Sequence, residues 1–300
     1  MRVLSTRRFP GPAWDALPDV EIVEWPLTQP WPEAEVLAVV AARVDEATLD
    51  LLPNLRLVAN YGVGYDAIDV EACVRRGVAV TNTPDALGVA TADLTMALVL
   101  AVRRRIVEGD RFVREGRWGT EWVSGQLLGD EVGGATLGIV GLGRIGRAVA
   151  ERALAFGMRV VYTRRTAGDE EGLEFLELDE LIRESDVVTL HVPLTPETDR
   201  LIDARRLALV RDGGALVNTS RGAIVDEPAL VRELVSGRIR AGLDVYVHEP
   251  RVPTELLELP NVVLLPHVGS ATRGTREAAT AELVANIKAV LDGREPPNRV

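Results

Sequence analysis

Three polar residues placed just past apolar runs could together do chemistry. The 300 residues contain only three histidines, His191, His248 and His267. His267 directly follows Val262-Val-Leu-Leu-Pro266, Arg221 lies in Val217-Asn-Thr-Ser-Arg-Gly222, and Glu249 lies in Asp244-Val-Tyr-Val-His-Glu-Pro250. A guanidinium grips a carboxylate with two hydrogen bonds, an imidazole moves a proton near neutral pH, and a carboxylate orients and charges an imidazole. Given a hydride donor, Arg221, His267 and Glu249 therefore supply the binding and proton-transfer groups for reducing a carbonyl that sits beside a carboxylate. Taken singly, each has a plain structural explanation: a turn cap, a surface acid before Pro250, a packed ring after Pro266. Their joint occurrence makes the chemical reading the stronger one. His191 and His248 read as structural.

Upstream, Gly141, Gly143 and Gly146 form G-x-G-x-x-G between an apolar run, Thr136–Val140, and an amphipathic helical pattern, Arg144–Phe156. That context is the one a dinucleotide loop requires. The first glycine permits the tight turn, the second admits the pyrophosphate, and the third lets helix and strand approach. The helix start adds free N–H groups and a positive dipole end. The following strand, Arg159–Thr163, should end beside the adenosine ribose. NAD enzymes place a carboxylate there, about 20 residues on. This chain has Thr163, 22 residues beyond Gly141, then Arg164 and Arg165, with no carboxylate until Asp169. Two guanidinium groups suit a 2′-phosphate. The expectation is NADP, with NADPH favoured over NADH by about a hundredfold and NAD bound more weakly. The alternative leaves both arginines as solvated surface charges.

These groups need elements to hold them. Strand-like runs occur at Arg2–Ser5, Glu21–Trp25, Val36–Ala41, Leu55–Asn60 and Val78–Thr81. A second series occurs at Thr136–Val140, Arg159–Thr163, Asp186–Val192, Ala215–Asn218, Ala241–Val245 and Val262–Leu265. Helical patterns fill most gaps, including Asp226–Ser236 and Thr275–Leu291, and a long one near Ala90–Glu115 separates the two series. The alternation predicts an α/β protein of two doubly wound parallel-sheet domains, strands buried on both faces. A Rossmann-type dinucleotide-binding domain, residues 98–268, would be inserted in a flavodoxin-like substrate domain, residues 1–97 and 269–300. Functional groups in such sheets collect beyond the carboxyl ends of strands, where Arg221, Glu249 and His267 all fall.

Composition narrows the partners. A net charge of −11 argues against nucleic acid and anionic membranes, while leaving room for a small anionic substrate held by local arginines. The single cysteine, Cys73, allows no intramolecular disulfide or cysteine-rich metal site, which fits a reducing cytoplasm. It lies in a helical pattern, Val70–Arg76, as a packed residue. No metal is expected. Met1–Thr6 reads as a strand rather than a signal segment, and the apolar run Leu94–Val102 is too short to span about 30 Å of hydrocarbon.

The motifs together resemble the D-isomer-specific 2-hydroxyacid dehydrogenases, over almost the whole chain. They are Asn60-Tyr-Gly-Val-Gly-Tyr-Asp66, Val80-Thr-Asn-Thr-Pro84, the Gly141 loop, His191-Val-Pro-Leu-Thr-Pro-Glu-Thr198, Asn218-Thr-Ser-Arg-Gly222, Asp244 to Pro250 and Pro266-His-Val-Gly-Ser-Ala-Thr272. The stretch from Trp118 to Leu128 and the arginine pair make it most similar to the glyoxylate and hydroxypyruvate reductases. The resemblance implies that His267 is the acid and base, Glu249 its partner and Arg221 the substrate-carboxylate anchor. It implies that Val63 and Gly64 hold that carboxylate through backbone N–H groups and that Asp244 contacts the nicotinamide carboxamide. Leu142, Gly143, Arg144, Ile145 and Thr219 would line the cofactor. The product would be a D-2-hydroxy acid. Two departures, Gly88 for a common Thr and Gly134-Ala135 for a usual Gly-Lys, bear on substrate choice more than on chemistry.

The resemblance also implies a homodimer paired through the cofactor domains, with Trp118 and Trp122 in the joining segment. Trp122 either approaches the neighbour's substrate cleft or packs within its own subunit. Three other functions share the scaffold. A nucleotide-sensing interaction protein could keep the same residues, but the low-complexity tail that would favour it is lacking. Formate enzymes generally lack the acid partner that Glu249 supplies. Enzymes of 3-phosphoglycerate usually carry the ribose-binding Asp and often a regulatory domain.

Overall fold

The structure, a computed structural model, describes residues 2–119, 125–166, 168 and 170–300. Trp122 and Asp169 lie outside the described residues. The chain divides into two compact units, Met1–Ala90 with Ser270–Val300, and Thr91–Gly269.

The first unit carries β1 (Arg2–Ser5), β2 (Val20–Ile22), β3 (Ala34–Val39), β4 (Leu57–Asn60) and β5 (Ala79–Thr81), with α1 (Glu46–Asp50) and α2 (Val70–Arg75) between them. All pairs are parallel, in the order β2-β1-β3-β4-β5. That is the flavodoxin-like order. Cys73 is buried in α2, where burial and the nearby Asp69 and Glu46 push its thiol up to about 11, so it stays an unreactive packed group.

The second unit opens on α3 (Gly88–Arg103) and α4 (Ile106–Arg114). It continues through β6 (Thr136–Val140), α5 (Arg144–Ala155), β7 (Arg159–Thr163), β8 (Glu174–Phe175), α6 (Leu178–Glu184), β9 (Val187–Leu190) and α7 (Ala204–Leu207). It ends with β10 (Ala215–Asn218), α8 (Glu227–Val235), β11 (Arg240–Leu243) and β12 (Val262–Leu264). The seven strands are ordered β12-β11-β10-β9-β6-β7-β8, all parallel. Counted from β6, this is the Rossmann order with one added strand, and the order reverses between β6 and β9. The strands that hold it are buried on both faces, as in Ile139 and Val140 of β6 and Leu216 and Val217 of β10.

The chain then returns to the first unit as α9 (Arg273–Leu291), with Thr272 capping its start through Thr275 N–H. Leu283, Val284 and Ile287 of α9 pack with Val3, Val36 and Leu57 of that sheet.

The structure departs from the sequence reading at several places. The long helical pattern breaks at Arg105, which adopts a left-handed conformation (φ 52°) between α3 and α4. The reason lies in the chain crossing it. Asp130 N–H takes the Arg103 carbonyl at 2.8 Å, and Gly129 packs so close that a Cβ there would sit 2.5 Å from that same oxygen. The carbonyl is no longer available to continue the helix. Residues 91–97 join the second unit rather than the first. Ala92 and Met96 are buried there against Leu137, Ile139 and Val149. The edge strand β8, two residues long, has no readable periodicity and was not expected.

A buried amide helps to hold the last residues against the first unit. Asn286 in α9 is fully buried; its Nδ2 donates to Asn82 O at 3.2 Å and its Oδ1 accepts from Asn298 N–H at 3.0 Å. Val300 N–H then reaches Val80 O at 3.0 Å. Asn286→Ala removes both side-chain bonds and leaves a buried carbonyl and N–H without partners. It should cost about 2–3 kcal/mol, seen as a lower midpoint in urea unfolding. An unchanged midpoint would show that this segment is anchored elsewhere.

Candidate active site

The glycine loop joins β6 to α5, and each glycine answers a different contact. Gly141 has φ +98°, and a Cβ there would lie 2.7 Å from His191 O. Its N–H donates to Thr163 O at 2.9 Å, tying the loop to the end of β7. A Cβ on Gly146 would lie 2.2 Å from Gly141 O, so only glycine lets α5 come this near the turn. Gly143 is different: a Cβ there would meet nothing within 4 Å. It is exposed, stands at the N-cap of α5 and supplies no side-chain cap. Arg147 N–H bonds Gly143 O at 2.9 Å, closing the first turn of α5. The open space at Gly143, beside the positive dipole end of that helix, leaves room for a pyrophosphate, so these residues fit a dinucleotide. Of the expected lining residues, Arg144 is exposed and Ile145 half-buried, whereas Leu142 is buried in the core and offers only its backbone.

The arginine pair after β7 divides. Arg165 is exposed. Arg164 folds back, its Nε donating to Thr166 O at 2.8 Å and its Nη1 pairing with Glu170 at 2.8 Å. Thr163, half-buried, closes the strand beside them. Both guanidinium groups were expected to suit a 2′-phosphate; one of them, that of Arg164, already holds a carboxylate.

Arg221, Glu249 and His267 follow β10, β11 and β12, on the same side of the sheet as the glycine loop. His267 Nδ1 is 2.7 Å from Glu249 Oε2. A carboxylate can only accept, so Nδ1 carries the proton in this bond and Nε2 is left for a reacting group. The other carboxylate oxygen, Oε1, accepts Tyr246 N–H at 3.1 Å. Burial pushes Glu249 up, but the bonds from His267 and Tyr246 and the charges of His267 and Arg221 outweigh it and hold the carboxyl below its ordinary range. His267 is exposed at its ring and sits in the left-handed region with φ 54°.

Asp244 holds that turn. It is fully buried, its carbonyl accepts His267 N–H at 2.9 Å, and its two oxygens accept Val268 N–H at 2.8 Å and Gly269 N–H at 2.7 Å. Burial raises its carboxyl above the usual range against the pull of both amides and of His267. The carboxylate has no exposed surface, so any influence on a bound nicotinamide passes through this turn. Tyr246 adds a second brace: its hydroxyl donates to Leu265 O at 3.0 Å, joining the chain after β11 to the chain after β12. Burial and the neighbouring Asp244 push this phenol up to about 12, so it remains a donor.

Arg221 is set by its own turn. Asn218 Nδ2 donates to Arg221 O at 2.8 Å and its Oδ1 accepts Ser220 N–H at 3.0 Å. Ser220 Oγ reaches Val192 O at 2.5 Å, beyond β9. Gly222 presses on the Tyr246–Val247 peptide, where a Cβ would lie 2.1 Å from Tyr246 C. The Arg221 turn and the Glu249 turn are thereby packed backbone to backbone. Thr219 is buried, its hydroxyl 2.9 Å from that of Thr95 in α3.

The other two histidines stand apart from this chemistry. His191 pairs through Nε2 with Thr189 Oγ1 at 3.0 Å. The residue is half-buried, and burial of its imidazole pushes it down to about 3, so it stays neutral. His248 is exposed in the turn before Glu249. In the first unit, Val63 and Gly64 occupy the turn after β4. Asn82 Nδ2 donates to Val63 O at 2.9 Å and Asn60 Nδ2 to Gly64 O at 2.9 Å, while neither Val63 N–H nor Gly64 N–H has a bond among the described residues. Among the described residues no group of His, Cys, Asp and Glu is placed to hold a metal, and no helix is long and apolar enough to cross a membrane. Sequence reasoning missed Glu170, Tyr246 and Asn218 as shapers of the site. Asn218 was readable, lying inside a quoted motif; Glu170, in an irregular loop, was not.

Known proteins align with this architecture throughout. Residues 96–269 match the model of the D-isomer specific 2-hydroxyacid dehydrogenase NAD-binding domain. The chain is 47% identical to a glyoxylate reductase of Thermococcus kodakarensis, over 100% of this chain and 96% of that one. The crystal structure of the TT0316 protein from Thermus thermophilus is 49% identical and superposes with a TM-score of 0.93, covering 100% of both chains. That of an NADPH-dependent glyoxylate/hydroxypyruvate reductase from Sinorhizobium meliloti, in complex with NADP and malonate, is 35% identical with a TM-score of 0.89, over 100% of this chain and 96% of that one. A double-wound sheet with this glycine loop, a His267–Glu249 pair and similarity of that extent leave one assignment: the chain belongs to the D-isomer specific 2-hydroxyacid dehydrogenase family.

Proposed function

We propose that this protein reduces a small 2-oxo acid, glyoxylate or hydroxypyruvate, to the D-2-hydroxy acid, with NADPH as the preferred reductant. The observation that carries the reading is the His267–Glu249 pair at 2.7 Å, with Arg221 on the neighbouring turn of the same sheet edge. A reduced nicotinamide supplies the hydride when the dinucleotide is bound. Gly141, Gly143 and Gly146, with the N–H groups of Arg144 and Ile145, receive its pyrophosphate. Thr219 and Asp244 shape the nicotinamide end, and Thr163, Arg164 and Arg165 the ribose end. Arg221 takes the substrate carboxylate in a forked pair. His267 Nε2 then faces the carbonyl oxygen and delivers the proton as negative charge builds there. Glu249 keeps the ring oriented through Nδ1.

We further propose a homodimer working in the cytoplasm. Trp118, 68% exposed in the segment after α4, suits a buried interface better than water.

The cofactor preference is smaller than two open arginines would give. Arg164 is already paired with Glu170, so Arg165 makes the principal new contact. One charge-assisted bond of about 1.5 kcal/mol corresponds to roughly tenfold. NAD binds at the same site with that much less affinity.

Three measurements test this. Reduction requires the proton on His267, and Glu249, held below its ordinary range, stays charged throughout the neutral region. Glu249→Gln keeps the shape and removes that charge, so kcat for reduction should fall by about a hundredfold with NADPH affinity unchanged. A kcat that does not fall rules out the pairing. Arg221→Ala should lower kcat/KM for the 2-oxo acid by about a hundredfold or more, the loss of a charged bidentate bond, while leaving NADPH binding intact. Finally, kcat/KM with NADPH should exceed that with NADH by about tenfold at low salt, mostly through KM, because the 2′-phosphate is remote from the reacting carbon. Added salt should narrow the gap. Equal use of NADH would remove the NADP assignment.

A further inference from the structure

Where α5 begins and β7 ends, one carboxylate is shared by two arginines. Glu170 Oε1 accepts Arg147 Nη2 at 2.8 Å and Arg164 Nη1 at 2.8 Å, and its Oε2 accepts Arg147 Nη1. Its side chain is only 18% exposed. The bonds from Arg147, and the charges of Arg147 and Arg164, hold it below the ordinary carboxylate range, so it is an anion at every working pH.

The loop is built to keep Arg164 folded against this anion. The Arg164 guanidinium lies 5.7 Å from the centre of the Tyr162 ring, and its Nε is bound to Thr166 O. Tyr162 OH donates to Gly168 O. A Cβ on Gly168 would lie 1.7 Å from Arg164 Nη2, so the folded guanidinium needs glycine at that position. The cluster adjoins the dinucleotide loop directly. Arg147 follows Gly146 in the first turns of α5, and Gly141 N–H is bonded to the carbonyl of Thr163, the residue before Arg164.

We propose that Glu170 is a specificity-determining residue: it withholds Arg164 and Arg147 from the adenosine 2′-phosphate and so narrows the discrimination between NADPH and NADH. The inference rests on the reading that the Gly141 loop holds a dinucleotide. Two effects act in the same direction. The carboxylate occupies guanidinium donors that the phosphate needs, and its charge repels a group carrying nearly two negative charges. Neither effect reaches NADH, whose ribose is uncharged at that position. Glu170 therefore acts on the ratio of the two affinities rather than on dinucleotide binding as such.

The experiment is a fluorescence titration of the full-length protein with NADPH and with NADH, without substrate, at low salt. Glu170→Gln keeps the shape and removes the charge. It should raise the NADPH-to-NADH affinity ratio by about tenfold, equivalent to about 1.4 kcal/mol, with NADH affinity unchanged. In the double variant Glu170→Gln with Arg164→Ala, most of that gain should disappear. A ratio that stays constant or falls in Glu170→Gln overturns the proposal and leaves Glu170 as a brace for the loop. NADH affinity falling together with that of NADPH does so too, since the loop rather than the charge would then be responsible. If the unaltered protein binds neither nucleotide, the dinucleotide reading itself fails, and that outcome is distinct from binding with an unmoved ratio.

Discussion

The site depends on one buried carboxylate gripping one turn. Asp244 has no exposed surface, yet it ties down three successive backbone N–H groups, those of His267, Val268 and Gly269. An L-residue at φ 54° carries strain of about 1 kcal/mol or more, which persists only where its surroundings over-determine it. Here they do, because releasing His267 into an extended conformation would leave a buried anion without its donors. That penalty is larger than the strain. The left-handed kink turns the ring out of the strand's line to where Glu249 can take Nδ1, so proton chemistry at Nε2 follows from a backbone constraint.

The same logic explains why the sheet edge is so poor in side chains. Aromatics make up 4% of the chain, and the closest approaches are made by glycine. Gly141 admits the His191 carbonyl, Gly146 admits the Gly141 carbonyl, and Gly222 admits the Tyr246–Val247 peptide. Each contact puts backbone on backbone, where a Cβ would force the elements apart. A parallel sheet already aims its strand ends at one edge. Removing bulk there lets the connecting turns pack against each other, and side chains such as Asn218, Ser220 and Tyr246 then lock those turns with single hydrogen bonds.

What the sequence disclosed and what it withheld follow the range of the forces involved. Strands such as Thr136–Val140 and Ala215–Asn218 are buried on both faces, so their apolar runs end where the strands end. The residues of the site were legible for a related reason: each stands just beyond such a run. The break in the long helix at Arg105 was not legible, because its cause is the 128–131 segment arriving from elsewhere in the chain to take the Arg103 carbonyl. The pairing of Arg164 with Glu170 was hidden likewise. An irregular loop has no period, and six residues of separation do not say which way an arginine folds. The buried state of Asp244 sat between these cases. Its place after β11 could be read, but not the two amides that turn it from a surface group into an anchor.

An electrostatic problem remains, and its solution is local. A protein of net charge −11 must hold a dinucleotide and a carboxylate substrate, all anionic. Long-range attraction is not available to it, and the overall field disfavours their approach. Most of its positive charge is also neutralised in place, as Arg147 and Arg164 are by Glu170, or Arg205 and Arg206 by Asp179. The donors suited to an anion are short-range and directional: the start of α5, and a guanidinium whose turn Asn218 fixes. Such donors act over a few ångströms and discriminate by geometry. The acidic exterior and the anion-binding interior are therefore compatible, because one works over the Debye length and the other within a hydrogen bond.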